Sequence, residues 1–374
     1  MIKLLEKCYK KRMIILLVCL ILLLLFGFLI FNFFNIYEVT RNDYHAENID
    51  AIGHRMESLF LKINDFPQDE GDDILYLTRI DSLHRLLDDG KFKWNENKEQ
   101  LSRDFSNFLG INSAYYQLRY IDENGMEIIR IENDGDNLYL VNESFLQDKG
   151  DRYYYKNAMK LDKGEVYVSR LDLNKENGIL DNRGSKNFPE YVPTIRYATP
   201  VFDFKNRKRG ILIFNVYADY FLEDIRRMSG EGDVSFLIDN KGYYLANPNR
   251  SKEFSFMFDR EDKFDIDYPE VDGTILNSFN KRFVEKNGKI FSFRYLYPTA
   301  GTFATYKGAE KIFGENPDNE YYWVLISVSD SNLVNGNIES IRSGFIVSAV
   351  FSAMMILLIV VLLSVVFVVD RDRG

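Results

Sequence analysis

Arg152, Tyr154 and Tyr155 lie in the stretch DRYYYKNAMK, residues 151–160, where one guanidinium meets three consecutive phenols. A guanidinium is a planar fork of donors that matches a carboxylate, and tyrosine offers an apolar wall with a polar tip. A helix opening near Asp151 sends Arg152, Tyr155 and Met159 along one side. Tyr154 then lies about 100° further round, near Ala158. The residue types leave two readings open, the wall of an anion pocket or a crowded packing joint.

Other chemistry finds little support. The three histidines, His45, His54 and His84, all fall in the N-terminal helical part, and none has a cysteine or second histidine at ligand spacing. Each reads as a solvated helix position. There is no Gly-x-Ser-x-Gly elbow, phosphate loop or zinc signature. Acid pairs such as Asp88–Asp89 read as turn or surface residues. The chain is therefore expected to be no enzyme, with no catalytic site, no metal and no cofactor.

The ends of the chain decide where such a pocket would be. Met13 to Tyr37 carries no charge, and Ser343 to Val369 is a second uncharged, mostly apolar run. About 20 apolar residues span a bilayer as a helix. The first run is longer than the apolar part of a signal peptide, and no small-x-small cleavage site follows it. Lys3, Lys7, Lys10, Lys11 and Arg12 crowd its near side, which predicts a cytoplasmic N-terminus. A return at Arg371 and Arg373 then makes a two-pass protein of the cell (inner) membrane. Both termini would be cytoplasmic and the large middle region extracytoplasmic.

Residues 1–34 carry net +4 and 344–374 net zero, so the total of −9 leaves −13 for the region between them. An acidic exterior argues against nucleic acid and against clinging to anionic lipid. Both cysteines, Cys8 and Cys19, lie in or beside the first span, so the exterior region must be held by its own core.

Ile49, Ile52, Met56, Leu59 and Ile63 recur at heptad spacing on a long helix. This seam either packs on its own domain or is shared with a second subunit, and a homodimer is expected on the second reading. Helical stretches follow near Ile74 to Leu87 and Asn95 to Leu109. The pattern then turns to strands, with AYYQLRYID and GMEIIRIEN flanking the turn DENG as a hairpin. After the helix at Asp151, strands return at EVYVSRLDL, PTIRYATPVFD and RGILIFNVY. A helix near Asp219 to Met228 separates these from DVSFLIDNKGYYLANP, KIFSFRYLYP and YYWVLISVSD. Two α+β modules in tandem fit this order. No repeat shows at the residue level.

The order RYYYKNA, SRLDLN, PTIRYATPVFDFKNRKRGILIFNVYADYF, FLIDNKGYYLANP and WVLISV before a membrane span resembles a double-Cache sensor ectodomain. These are tandem PAS-like modules on a long helix, found in histidine kinases, diguanylate cyclases and chemoreceptors. The likeness covers nearly all of residues 35–369. It implies a cytoplasmic N-terminus at 1–12, a membrane helix at 13–34 and a long helix with helical lead-in at 35–110. A membrane-distal ligand-binding module at 111–228 and a membrane-proximal module at 229–335 follow. A second membrane helix at 343–369 and a cytoplasmic stub at 370–374 complete the layout.

Amino-acid-binding members of that family carry Arg-x-Trp-Tyr at this helix, matched here by Arg152, Tyr154 and Tyr155 with tyrosine in place of tryptophan. Their Tyr-x-Asp falls at Arg170-Leu171-Asp172, and their ammonium-binding aspartate at Asn215. An amide cannot offset a buried ammonium. Arg152, Arg170 and Arg196, the last alternating with Ile195 and Tyr197, make the implied pocket richer in positive charge and favour a small carboxylate or other anion. The alternative is that Arg170 or Arg196 pairs internally with Asp172. Tyr243, Tyr244 and Asn247 of the second module read as packing.

The implied function is the ligand-sensing input region of a transmembrane signal receptor of the two-component or chemotaxis kind. With only DRDRG after Val369, the sequence is expected to be the front part of a longer protein or the product of a truncated gene. The alternative function is a structural membrane assembly protein of the polysaccharide chain-length-determinant type. That class expects mostly long helices outside, and the strand-rich stretch from Ala114 to Tyr217 speaks against it.

Overall fold

The computed structural model describes residues 2–372, apart from 89–92, 112, 136, 177, 186–189, 229–232, 272, 274, 276–281, 299–304, 309–320 and 332–335. Contacts divide the chain into two compact units, Gly53–Ser329 on one hand and Met1–Ile52 with Asp330–Gly374 on the other. Helix α1 (Ile2–Leu77) supplies residues to both.

In the larger unit the heptad stripe of α1 is buried, with Met56, Leu59 and Ile63 at most 8% exposed. Ion pairs from Arg55 to Asp233 (2.7 Å) and from Glu57 to Arg294 (3.3 Å), with a third from Lys62 to Asp224, flank it. Of the two readings of the seam, packing on the chain's own domain is the one observed. A homodimer therefore loses that stripe as its motive. The helical stretch expected near Ile74 to Leu87 is broken at residues 78–80, so Ile74 falls in the last turn of α1 and a short α2 (Asp81–Asp88) follows. Helix α3 (Trp94–Ile111) buries Asn97, Leu101, Phe105 and Leu109, one face at a spacing of four.

The first module is built on β1 (Tyr115–Asp122), β2 (Glu127–Asn133), β3 (Leu138–Leu140), β4 (Glu165–Val168), β5 (Asp172–Leu173), β8 (Pro193–Phe202) and β9 (Lys208–Tyr217). Helix α4 (Tyr153–Ala158) precedes β4, and a small hairpin of β6 (Lys175–Glu176) and β7 (Ile179–Leu180) stands apart. Helix α5 (Asp219–Arg227) leads to the second module. That module holds β10 (Asp233–Asp239), β11 (Tyr244–Ala246), α6 (Phe264–Asp267), β12 (Phe283–Lys286), β13 (Lys289–Leu296), β14 (Thr305–Gly308) and β15 (Trp323–Asp330).

The first sheet runs β14-β4-β8-β9-β1-β2-β3 with β5 also on β8, and the second runs β11-β10-β15-β13-β12. One strand crosses over, since β14 follows β13 in the chain yet pairs parallel with β4, Thr305 opposite Glu165. Central strands β8 and β9 are buried along almost their whole length, which is why they read as near-continuous apolar runs. A residue-level repeat also emerges. Ile121-Asp122-x-x-Gly125 and Ile238-Asp239-x-x-Gly242 make the same turn, with glycine at φ +93° and +83°. Asp122 Oδ1 accepts from the N–H groups of Asn124 and Met126, and Asp239 Oδ1 from those of Lys241 and Tyr243.

In the smaller unit, helix α7 (Gly336–Asp372) places Phe345 edge-on to Phe33 of α1 at 4.3 Å between ring centres. Stretches Leu16–Asn64 and Arg342–Leu362 each contain a window of mean hydropathy 3.0 with none of it buried, apolar enough to cross a membrane. The α+β layout, long N-terminal helix and C-terminal apolar helix are as the sequence predicts, and two sheets between the apolar helices are not the mainly helical exterior of a chain-length determinant.

Candidate functional site

Between α4, β5 and β8 the first module encloses a cavity of about 240 Å³. Its wall includes Arg119, Arg152, Tyr153, Tyr154, Asp172 and Arg196. Asn174, Lys175, Glu176, Leu173 and Met257 complete it. Four cationic side chains thus face two carboxylates, an excess of positive charge.

Helix α4 explains which phenols reach the cavity. It begins at Tyr153, and Arg152 is its N-cap residue in an extended conformation (φ −72°, ψ 139°). Arg152 therefore does not follow the helical projection that would set it beside Tyr155. Tyr153 and Tyr154 line the cavity, whereas Tyr155 turns into the core with Ala158, Leu161 and Ile211 and donates its hydroxyl to the Asp122 carbonyl at 3.0 Å. The cluster is both things at once, two rings of pocket wall and one of packing.

Among the described residues the Arg152 guanidinium has no hydrogen-bond or ion-pair partner, although it lines the cavity. The other arginines are engaged. Arg196 Nη1 donates to Asp172 Oδ1 at 2.6 Å and to the Tyr153 hydroxyl at 3.3 Å, and its Nη2 to Asn174 Oδ1 at 3.2 Å. Burial works against the Arg196 charge, but Asp172, Tyr153 and Tyr116 together outweigh it and hold the group well above its ordinary pKa. Burial likewise pushes the Tyr153 phenol well up. The Tyr154 ring sits between two guanidinium groups, Arg119 at 5.5 Å and Arg196 at 5.7 Å from its centre.

Arg119 was not anticipated. It is 2% exposed, and its Nη2 donates to Asn215 Oδ1 at 2.9 Å while Nη1 lies 3.4 Å from Glu127. Asn215 does not line the cavity. Its amide is buried behind Arg119 and donates to Tyr116 and Gln117, both at 3.0 Å. A neutral acceptor there orients Arg119 without cancelling its charge. Beneath this layer Arg130 reaches Glu176 at 3.3 Å, and Lys149, 2% exposed, stands 3.9 Å from both Glu127 and Glu176. Burial, then the neighbouring Arg119, lowers the Lys149 pKa to about 8.

Arg170 also lies away from the cavity. It pairs with Asp239 of the second module, Nη2 to Oδ2 at 3.0 Å, not with Asp172. The internal partner of Asp172 is Arg196. The structure thus brings Arg152, Tyr154, Asp172 and Arg196 together and sets Tyr155, Arg170 and Asn215 elsewhere.

Comparison with known proteins gives this site its setting. The model of the bacterial histidine kinase sensor domain matches residues 79–299, more than half of the chain. The chain belongs to that family. Its fold is shared by a domain of a protein described as a sensory box/GGDEF family protein from Vibrio parahaemolyticus. That likeness has a TM-score of 0.57 and 19% identity over 77% of this chain and 97% of that one. The extracellular domain of a protein described as the histidine kinase vpHK1S-Z8 is equally similar, with a TM-score of 0.57 and 19% identity over 80% of this chain and 94% of that one. No curated protein sequence matches the chain. The double-Cache resemblance holds, and the chain is a sensor domain between two helices apolar enough to span a membrane.

Proposed function

We propose that this sensor domain is a non-catalytic input region that binds a small anion, a carboxylate above all, in the cavity of its first module. The supporting observation is the unpartnered Arg152 guanidinium beside arginines that are already engaged. Both lining carboxylates face arginines of their own, Asp172 facing Arg196 and Glu176 facing Arg130, so neither is left to hold a ligand ammonium. An amino acid is for that reason a poorer fit than a simple carboxylate. Residues 111–228 would then be the membrane-distal module and 229–335 the proximal one. Both termini would be cytoplasmic, and the signal would leave through the second apolar helix. A ligand shifts such a receptor only by its different affinity for two states.

The test is titration of the full chain in lipid nanodiscs with acetate, succinate, lactate, inorganic phosphate and the common amino acids. A charged hydrogen bond to arginine is worth about 1.5–3 kcal/mol, so Arg152→Ala is expected to weaken the best anion about ten- to a hundredfold. An affinity unchanged by Arg152→Ala sinks the reading. An amino acid as best ligand sinks the preference for a simple anion.

A further inference from the structure

Residues 170–174 stand in two environments at once. Asp172 and Asn174 line the cavity and hold Arg196. Arg170, two residues earlier, belongs to the second module, where it pairs with Asp239 and lies over the rings of Tyr321 (5.3 Å) and Phe256 (5.6 Å). Asp239 is fully buried, and burial raises its pKa against the pull of Arg170. Between them the Leu171 N–H donates to the Tyr321 hydroxyl at 3.2 Å, and the indole of Trp323 donates to the same oxygen at 2.8 Å. Only about 7 Å of extended backbone separates Arg170 from Asp172, too little to absorb a displacement of either end.

The second module also reaches the other way. Its turn Ser255–Met257 sends Met257 to the cavity wall, with Sδ 3.0 Å from the Leu173 N–H. Phe254 and Phe258 of the same turn line a neighbouring groove of about 740 Å³, which Leu173 shares. Phe254 has φ +49° and Asp259 φ +55°. A bulky side chain in the left-handed region is rare, and such strain persists only where its surroundings over-determine it.

We infer that residues 170–174, clamped through Arg170–Asp239 and backed by Met257, are the coupling element that carries the state of the cavity to Trp323 at the head of β15. The inference deepens the anion-site reading by naming how that site is regulated, and its test needs no ligand. The chain has two tryptophans, Trp94, which is half-buried, and Trp323, which is 1% exposed. Trp94→Phe in the full chain in nanodiscs leaves Trp323 as sole reporter.

In that background Asp172→Asn, at the cavity end, is expected to shift Trp323 emission to the red and raise its quenching by acrylamide. Tyr153→Phe, which removes one hydrogen bond to Asp172, shifts it the same way by less and carries the test should Asp172→Asn not fold. Both shifts are expected to be largely lost when the clamp is replaced by the uncharged pair Arg170→Met with Asp239→Asn. Shifts of equal size in both backgrounds mean general loosening and overturn the inference, as does an unmoved Trp323. Anion affinity indifferent to Arg152→Ala would sink the ligand reading and leave this result standing.

Discussion

In the second module ring packs on ring, with Phe236 5.5 Å from Tyr244 and 5.9 Å from Phe264, and Phe264 6.5 Å from Phe291. At the cavity of the first module a ring has guanidinium groups at the same range as its ring neighbour: Arg119 at 5.5 Å and Arg196 at 5.7 Å from Tyr154, beside Tyr153 at 5.5 Å. Both modules use the same aspartate turn to close a hairpin, so the contrast lies in what fills the interior. Phe236, Ile238, Phe264, Phe291, Val324 and Ile326 form one apolar cluster, which is stabilised simply by leaving water. Charges gain nothing that way. A buried ion pair is weak evidence for stability, because desolvation offsets most of the attraction. A charged cavity beside an apolar twin is what a binding role for the first module and a load-transmitting role for the second would need.

Substitutions can break this contrast. Phe291 is fully buried in the second module, and Phe291→Ala is expected to destabilise the chain by about 3–5 kcal/mol, read as lowered thermal and urea midpoints in nanodiscs. A loss below about 1 kcal/mol would mean that the aromatic cluster is not the core it resembles. Next comes the pair of arginines in one cavity. Arg196→Met strands Asp172, which keeps some exposure, so its cost should fall below the ~3–5 kcal/mol of a fully buried pair yet well above zero. Arg152→Met breaks no side-chain hydrogen bond or ion pair among the described residues and should stay within about 0.5 kcal/mol. Equal losses for the two arginines would show that Arg152 is structural and unravel the case for a ligand.

Some of this was legible in the residue order and some was not, for physical reasons. Alternating apolar residues around DENG and DNKG marked both hairpins, because the strand period of two is local. The shared Asp-x-x-Gly turn could have been seen by setting Ile121–Gly125 beside Ile238–Gly242. A helical projection extended to Arg152, which stands before the helix, sets Tyr155 on the wrong side. Arg119 carries a signal of its own. It faces Arg130 across the β1–β2 register, and two like charges in a buried hairpin demand acidic partners, here Glu127, Glu132 and Glu176. The Arg170–Asp239 clamp joins residues 69 apart, and the strand β14 reaches the first sheet from the far side of β13. Nothing local encodes either.

A small effect with a definite sign concerns the charge beneath the cavity floor. Lys149 is held by Gln147 at 2.7 Å and lies near Glu127, Glu176 and Arg130, and its folded pKa of about 8 lies below the ordinary 10.5. Below pH 8 both folded and unfolded chains carry the proton, and the folded state bears the full cost of burying it. Between the two pKa values the unfolded chain binds more protons, so stability rises with pH there. Over so narrow a window the change is small, under about 1 kcal/mol from about pH 7.5 to about pH 8.5. Lys149→Met removes the titrating group. The difference in thermal midpoint between wild type and Lys149→Met should therefore move in favour of wild type as pH rises through this window. The opposite slope would mean that the acids around Lys149 hold its proton more tightly than its burial expels it. The layer beneath the pocket would then be a satisfied ion-pair network, and the excess positive charge would rest on the lining alone.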